Sequence, residues 1–173
     1  ITGMDDEDGL NVQPMTAGQT VTFSALVTNE TGAVGYLSGW LDYNNNGIHS
    51  EGTERILTNR AIPTGTVNGL IEFTFTVPPS AVTGVPIGLR LRLSAPSGLG
   101  STGANSMAGE IEDHMVTVLA PTTDFGDFSS FGDASSTVSG SIKMGALTDV
   151  EFLPTKNIPA TGDDLIGKDA EDA

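Results

Sequence analysis

Apolar and polar residues alternate with a period of two along much of the first ~120 positions. That period puts successive side chains on opposite faces of an extended chain and marks half-buried strands. In "TVTFSALVTN", from Thr20 to Asn29, Val21, Phe23, Ala25 and Val27 share one face. In "LIEFTFTVP", Phe73, Phe75 and Val77 turn inward against Glu72, Thr74 and Thr76. "GLRLRLS" sets Leu89, Leu91 and Leu93 against Arg90 and Arg92. "EIEDHMVTVLA", starting at Glu110, supplies a last strand with an apolar part from Met115 to Leu119. A fifth candidate, "YLSGWLDY" from Tyr36 to Tyr43, carries the only tryptophan, Trp40, expected as a core anchor beside Leu37 and Leu41. No stretch shows the i, i+3, i+4, i+7 spacing of an amphipathic helix between good caps.

Turn chemistry separates these runs: "NETG" at 29–32, "PTGTVNG" at 63–69, "PPSAVTG" at 78–84. The longest break, "APSGLGSTGANSMAG" at 95–109, is rich in Gly and Ser and is expected as a surface loop. The expected fold is all-β, an antiparallel β-sandwich over residues 1–121. Residues 122–173 change texture, reading "DFGDFSSFGDASS" from Asp124, with only "TVSGSIKMG" and "TDVEFLP" patterned as strands. So short a supply of strands is too little for a separate core. This loop-rich C-terminal extension is expected to pack on its own copy or a neighbouring one.

Charge narrows the function. The formal net charge is −15, with 7 Lys and Arg against 22 Asp and Glu. Phosphate backbones need cations, so no nucleic-acid partner is expected. So many carboxylates repel one another unless cations or solvent screen them. There is no cysteine, hence no disulfide, thiolate metal site or Cys nucleophile. No apolar run reaches the ~18 residues of a transmembrane helix. Catalytic signatures are absent: no Gly-x-Ser-x-Gly, His-Glu-x-x-His or Walker sequence occurs, and His49 and His114 are the only histidines. The chain is therefore not expected to be an enzyme.

The acids cluster, which favours a divalent metal. In "DYNNNGIHSEGTE", Asp42, Asn44 and Asn46 offer oxygens at alternate positions before Gly47. This is the first half of a calcium loop, in which alternate oxygens converge and glycine permits the sharp turn. The Ile48 carbonyl can add a ligand and Glu54 can close the shell. An EF-hand needs a Glu where this chain has Thr53, so the loop is expected in a β-hairpin instead. With one carboxylate at its opening, its affinity for Ca2+ is expected at ~10⁻⁵–10⁻³ M. The competing reading is an Asn/Gly-rich turn whose Asn side chains cap backbone groups. A second candidate group is Asp5, Asp6 and Asp8 with Glu110 and Asp113, if the chain start meets the start of the last strand. Its alternatives are a solvated acidic linker, or pairing of Glu110 or Glu112 with Arg90 or Arg92.

"GWLDYNNNGIHSEGTE", "VPPSAVTGVPIGLRLRLS" and "GEIEDHMVTV" occur in that order and resemble the GEVED domain of secreted and surface bacterial proteins. The resemblance covers residues 5–119. His114 stands where that family often has Tyr. The resemblance implies a β-sandwich in large extracellular proteins, as a structural, adhesive or accessory module without catalytic activity. The chain also ends nearly as it begins: Ile1, Gly3, Asp5, Glu7 and Asp8 recur at one constant spacing as Leu165, Gly167, Asp169, Glu171 and Asp172. That echo is expected of a tandem repeat cut out of phase, whose partners are neighbouring copies. Surface glycans are the alternative partner, with Tyr36, Trp40 and Tyr43 as stacking residues.

Overall fold

The structure is a computed structural model describing residues 8–104, 108–126, 130–132, 134–138, 141–144 and 150. It divides into two compact units, Ile1–Leu119 and Ala120–Ala173. Every regular element among the described residues is a strand, as the period of two predicts.

The first unit holds β1 (Leu10–Asn11), β2 (Met15–Thr16), β3 (Thr20–Asn29), β4 (Gly35–Leu41), β5 (Arg55–Ile62), β6 (Thr66–Thr76), β7 (Pro86–Ser94) and β8 (Gly109–Leu119). They form a three-stranded sheet, β1-β3-β6, and a five-stranded sheet, β2-β8-β7-β4-β5. All pairings are antiparallel except β2 with β8, where Met15 and Thr16 run parallel to Val118 and Leu119. The chain crosses between sheets at Val12–Gln13–Pro14, where a proline cannot donate to a ladder. The second unit contains an antiparallel pair, β9 (Thr123–Phe125) and β10 (Ser135–Thr137). Apart from Val150, the expected strand "TDVEFLP" lies outside the described residues, as does the C-terminal half of the repeat echo.

The predicted inward residues form the core. Phe23, Ala25, Val27, Phe73 and Phe75 are buried on the smaller sheet, and Leu37, Leu41, Ile87, Leu89, Leu91, Val116 and Val118 on the larger. Phe23 meets Phe73 and Phe75 edge to face at 6.0 and 5.2 Å, geometry that suits the ring quadrupoles. Each such side chain removed from water contributes about 1.5–3 kcal/mol. Outward threonines pair across the smaller sheet, Thr22 with Thr74 at 2.8 Å and Thr20 with Thr76 at 3.1 Å.

Trp40 is a buried anchor, as expected, in a layer of its own. It is fully buried, at 0% exposure, but on the opposite face of β4 from Leu37 and Leu41. The register sets Trp40 beside Arg90 and Ser38 beside Arg92, while Leu41 and Leu37 lie beside Leu89 and Leu93. The indole therefore sits on the outer face of the larger sheet, where its N–H meets Glu51 of the β4–β5 loop and the Arg55 guanidinium lies over the ring.

Candidate metal-binding loop

The loop from Asp42 to Glu54 connects β4 to β5. Its base is fixed by two backbone bonds, from the Leu41 N–H to Glu54 O at 2.9 Å and from the Asp42 N–H to Gly88 O at 2.8 Å. Asn45 and Gly47 take positive φ, 54° and 78°, and fold the chain back on itself. Asp42, 4% exposed, accepts the Asn46 N–H on Oδ1 at 3.0 Å and the Gly47 N–H on Oδ2 at 2.8 Å. Asn44 Oδ1 accepts the Asn46 N–H at 3.0 Å, and Asn46 Oδ1 accepts the Ile48 N–H at 2.8 Å. The turn-capping bonds of the competing reading are thus present. Each of these oxygens keeps a second lone pair, so capping and ligation are compatible.

Capping alone leaves Glu54 without an account. This carboxylate is 1% exposed. Its Oε2 accepts the Ser50 N–H at 2.7 Å, while Oε1 is buried without a hydrogen-bond partner. A buried carboxylate oxygen with nothing to satisfy it is costly. The chemistry of the set, one Asp, one Glu, two amide oxygens and the Ile48 carbonyl, is all oxygen, which suits Ca2+ rather than a softer metal.

Only part of the second candidate group lies within the described residues. Asp5 and Asp6 lie outside the described residues. Asp8 is exposed, and the Gly9 N–H that follows it donates to Glu112 Oε1 at 3.0 Å. So the chain start does meet the last strand. However, β8 alternates its acids between faces. Glu112 lies on the side of Val116 and Val118 and bonds His114 Nε2 at 3.1 Å. Asp113 lies on the other side, opposite Arg90 in the register, and takes its Nε and Nη2 in a bidentate pair at 2.6 and 2.5 Å. Asp113, the acid beside the two for which arginine pairing was expected, is thus a partner of Arg90. Arg90 holds the Asp113 carboxyl below the usual carboxylate range, chiefly by hydrogen bonding, against a smaller opposing effect of burial. Glu110 is exposed at the start of β8. Among the described residues no three acidic or histidine side chains come together as a metal group.

A residue that the sequence reading left out of the site, Glu51, ties the loop to its surroundings. Its Oε2 accepts the Trp40 indole N–H and an Arg55 Nη1 hydrogen, each at 3.2 Å. Its Oε1 accepts the Ser101 N–H at 2.5 Å. Burial pushes the Glu51 carboxyl up, but the Ser101, Trp40 and Arg55 interactions outweigh it and hold the group below its ordinary range. Arg55 lies over the indole, 5.0 Å from the ring centroid. The one hint in the sequence is the Glu51–Arg55 spacing, which says nothing of Ser101, 50 residues away.

Residues 36–117 match the family model of the GEVED domain. The chain carries a GEVED domain. No curated protein matches the chain. The matched segment begins in β4 and ends in β8, so the GEVED domain contains both the Asp42–Glu54 loop and the Arg90–Asp113 pair.

Proposed function

We propose that this chain is a non-catalytic, calcium-binding repeat unit of a long extracellular structural or adhesive protein, such as a fibre, stalk or sheath. Ca2+ is held in the GEVED domain by Asp42, Asn44, Asn46, the Ile48 carbonyl and Glu54. The observation that carries this reading is Glu54 Oε1, a buried carboxylate oxygen without a partner, at the closing end of an oxygen-rich loop. The bound ion supplies the charge that this oxygen lacks. In a chain of net charge −15 without cysteine, a metal takes the stapling role that disulfides play in other extracellular modules. The repeat part of the reading rests on the echo between the two ends of the sequence. The glycan alternative loses its main support, because Trp40 has no exposed face to stack on a sugar.

The test is thermal melting in calcium, in magnesium and in excess EDTA. At one hundred times its dissociation constant a single ion adds about 2.7 kcal/mol. A domain of this size should then melt several degrees higher in calcium, with no matching rise in magnesium. Equal melting in all three solutions would exclude the calcium role.

A further inference from the structure

We infer that the Asp42–Glu54 loop and the β7–β8 loop form one cover over Trp40, and that a divalent cation in the first loop fastens it. The inference rests on the calcium reading of that loop and adds a consequence that calcium binding alone does not require.

The β7–β8 loop is held from below without any metal. Arg92 is buried, and it donates to the carbonyls of Gly100, Thr102 and Gly103 at 2.9, 3.2 and 3.1 Å. Arg90 Nη1 donates to Ser101 O at 2.9 Å, and Arg55 Nη2 donates to Leu99 O at 3.3 Å. Asn59 Oδ1 accepts the Gly98 N–H at 3.0 Å. These bonds spread over four side chains from two strands, β5 and β7, so this half of the cover is fixed to the sheet.

The other half is the loop segment from His49 to Gly52, which touches the first half at one point. Ser101 donates its N–H to Glu51 Oε1 and its hydroxyl to His49 O at 3.0 Å. Ser101 is buried, but the Glu51 side chain is 48% exposed, so water competes for this clasp. Glu51 lies between Ile48, whose carbonyl is a ligand, and Glu54, the closing ligand. An ion gripping both ends limits how far the segment between them can swing. Loading the loop therefore holds Glu51 against Ser101, Trp40 and Arg55. Emptying it leaves the exposed clasp to hold alone, and the indole N–H becomes open to solvent at its Glu51 edge.

Trp40 is the only tryptophan, so acrylamide quenching of its fluorescence reads the cover directly, and hydrogen exchange at the Ser101 amide reads the clasp. Both are measured on the full chain in calcium and in EDTA, beside the melting temperature. The expected result is stronger quenching, a red-shifted emission and faster Ser101 exchange in EDTA. Glu51→Ala should show strong quenching even in calcium while keeping the calcium-dependent rise in melting temperature. Ser101→Ala, which loses the hydroxyl's bonding to His49 O and to Glu51 but keeps the N–H bond to Glu51, should fall between. If calcium raises the melting temperature but leaves wild-type quenching and Ser101 exchange unchanged, the coupling is wrong and the metal site stands. If calcium changes none of the three, the metal site fails and this inference fails with it.

Discussion

At the residue scale, Glu54 and Asp42 make opposite predictions. Glu54→Gln removes a buried charge, one of whose oxygens has no partner. Without metal the substitution should leave the domain as stable or more stable, since an unpaired buried charge opposes folding. In calcium it should lose most of the stabilisation gained by the wild type. Asp42→Ala instead removes the acceptor of two loop N–H groups, and should cost about 2–4 kcal/mol even in EDTA. Urea denaturation with and without calcium separates the two. Glu51 and Asp113 carry a pH prediction. Both carboxyls titrate below their ordinary range in the fold, so the folded state binds fewer protons there than the unfolded chain. Their stabilisation is fully present above the unfolded carboxylate values near ~4 and is lost as pH falls through the lower folded ones. The urea midpoint should drop on acidification below about pH 4, and the drop should be shallower in an Asp113→Asn, Glu51→Gln double variant. Both groups are half-exposed, which keeps the effect small.

At the scale of elements, the strands legible in the sequence are those with one wet and one dry face. Strands β3, β6 and β8 alternate, and their buried residues are among those the period selects; β7 keeps its inward leucines but also buries Arg92 on the other face. Strand β5 was missed because it is an edge strand: only Ile62 in "RILTNRAI" is buried, and an irregularity in its pairing with β4 breaks the alternation. Strands β1 and β2 have two residues each and owe their form to pairing rather than propensity. Strand β4 and the burial of its tryptophan were legible, but the face that Trp40 occupies was not. Leu37 and Leu41 share one parity with the small Gly39 between them, and Ser38, Trp40 and Asp42 share the other. Nothing local to β4 reveals that Glu51 in the following loop, held by Ser101 from the distant β7–β8 loop, meets the second set. The hydrogen-bonded turn of the Asp42–Glu54 loop was legible because its oxygen-bearing side chains alternate along one short stretch of sequence. The Asp113–Arg90 pair was not, because register decides which of three neighbouring acids meets the arginine. Strand β1 offers an element-scale test. A side chain at Gly9 would run into the Glu112 carboxylate, 2.5 Å from its Cβ position. Gly9→Ala should break the Gly9–Glu112 bond and free the first strand, which faster hydrogen exchange at Leu26, whose N–H bonds Gly9 O, would register.

At the scale of the whole molecule, the account joins a small sandwich, a heavy negative charge and a recurring end. If the chain is one unit of an array, neighbouring copies share the work of stability. A protein of three linked copies should then melt above a single copy, and equal melting would remove the repeat from the account while leaving the metal site in place. The central claim is narrower. It is that an oxygen-lined hairpin loop, closed by a buried glutamate, holds calcium. Calorimetric titration of calcium into the metal-free chain, beside its Glu54→Gln variant, tests this most directly. The account predicts binding to this loop with a dissociation constant of about 10⁻⁵–10⁻³ M, abolished or greatly weakened in the variant. Wild-type protein that takes up no calcium at millimolar concentrations, or binding of equal strength in both proteins, would contradict it.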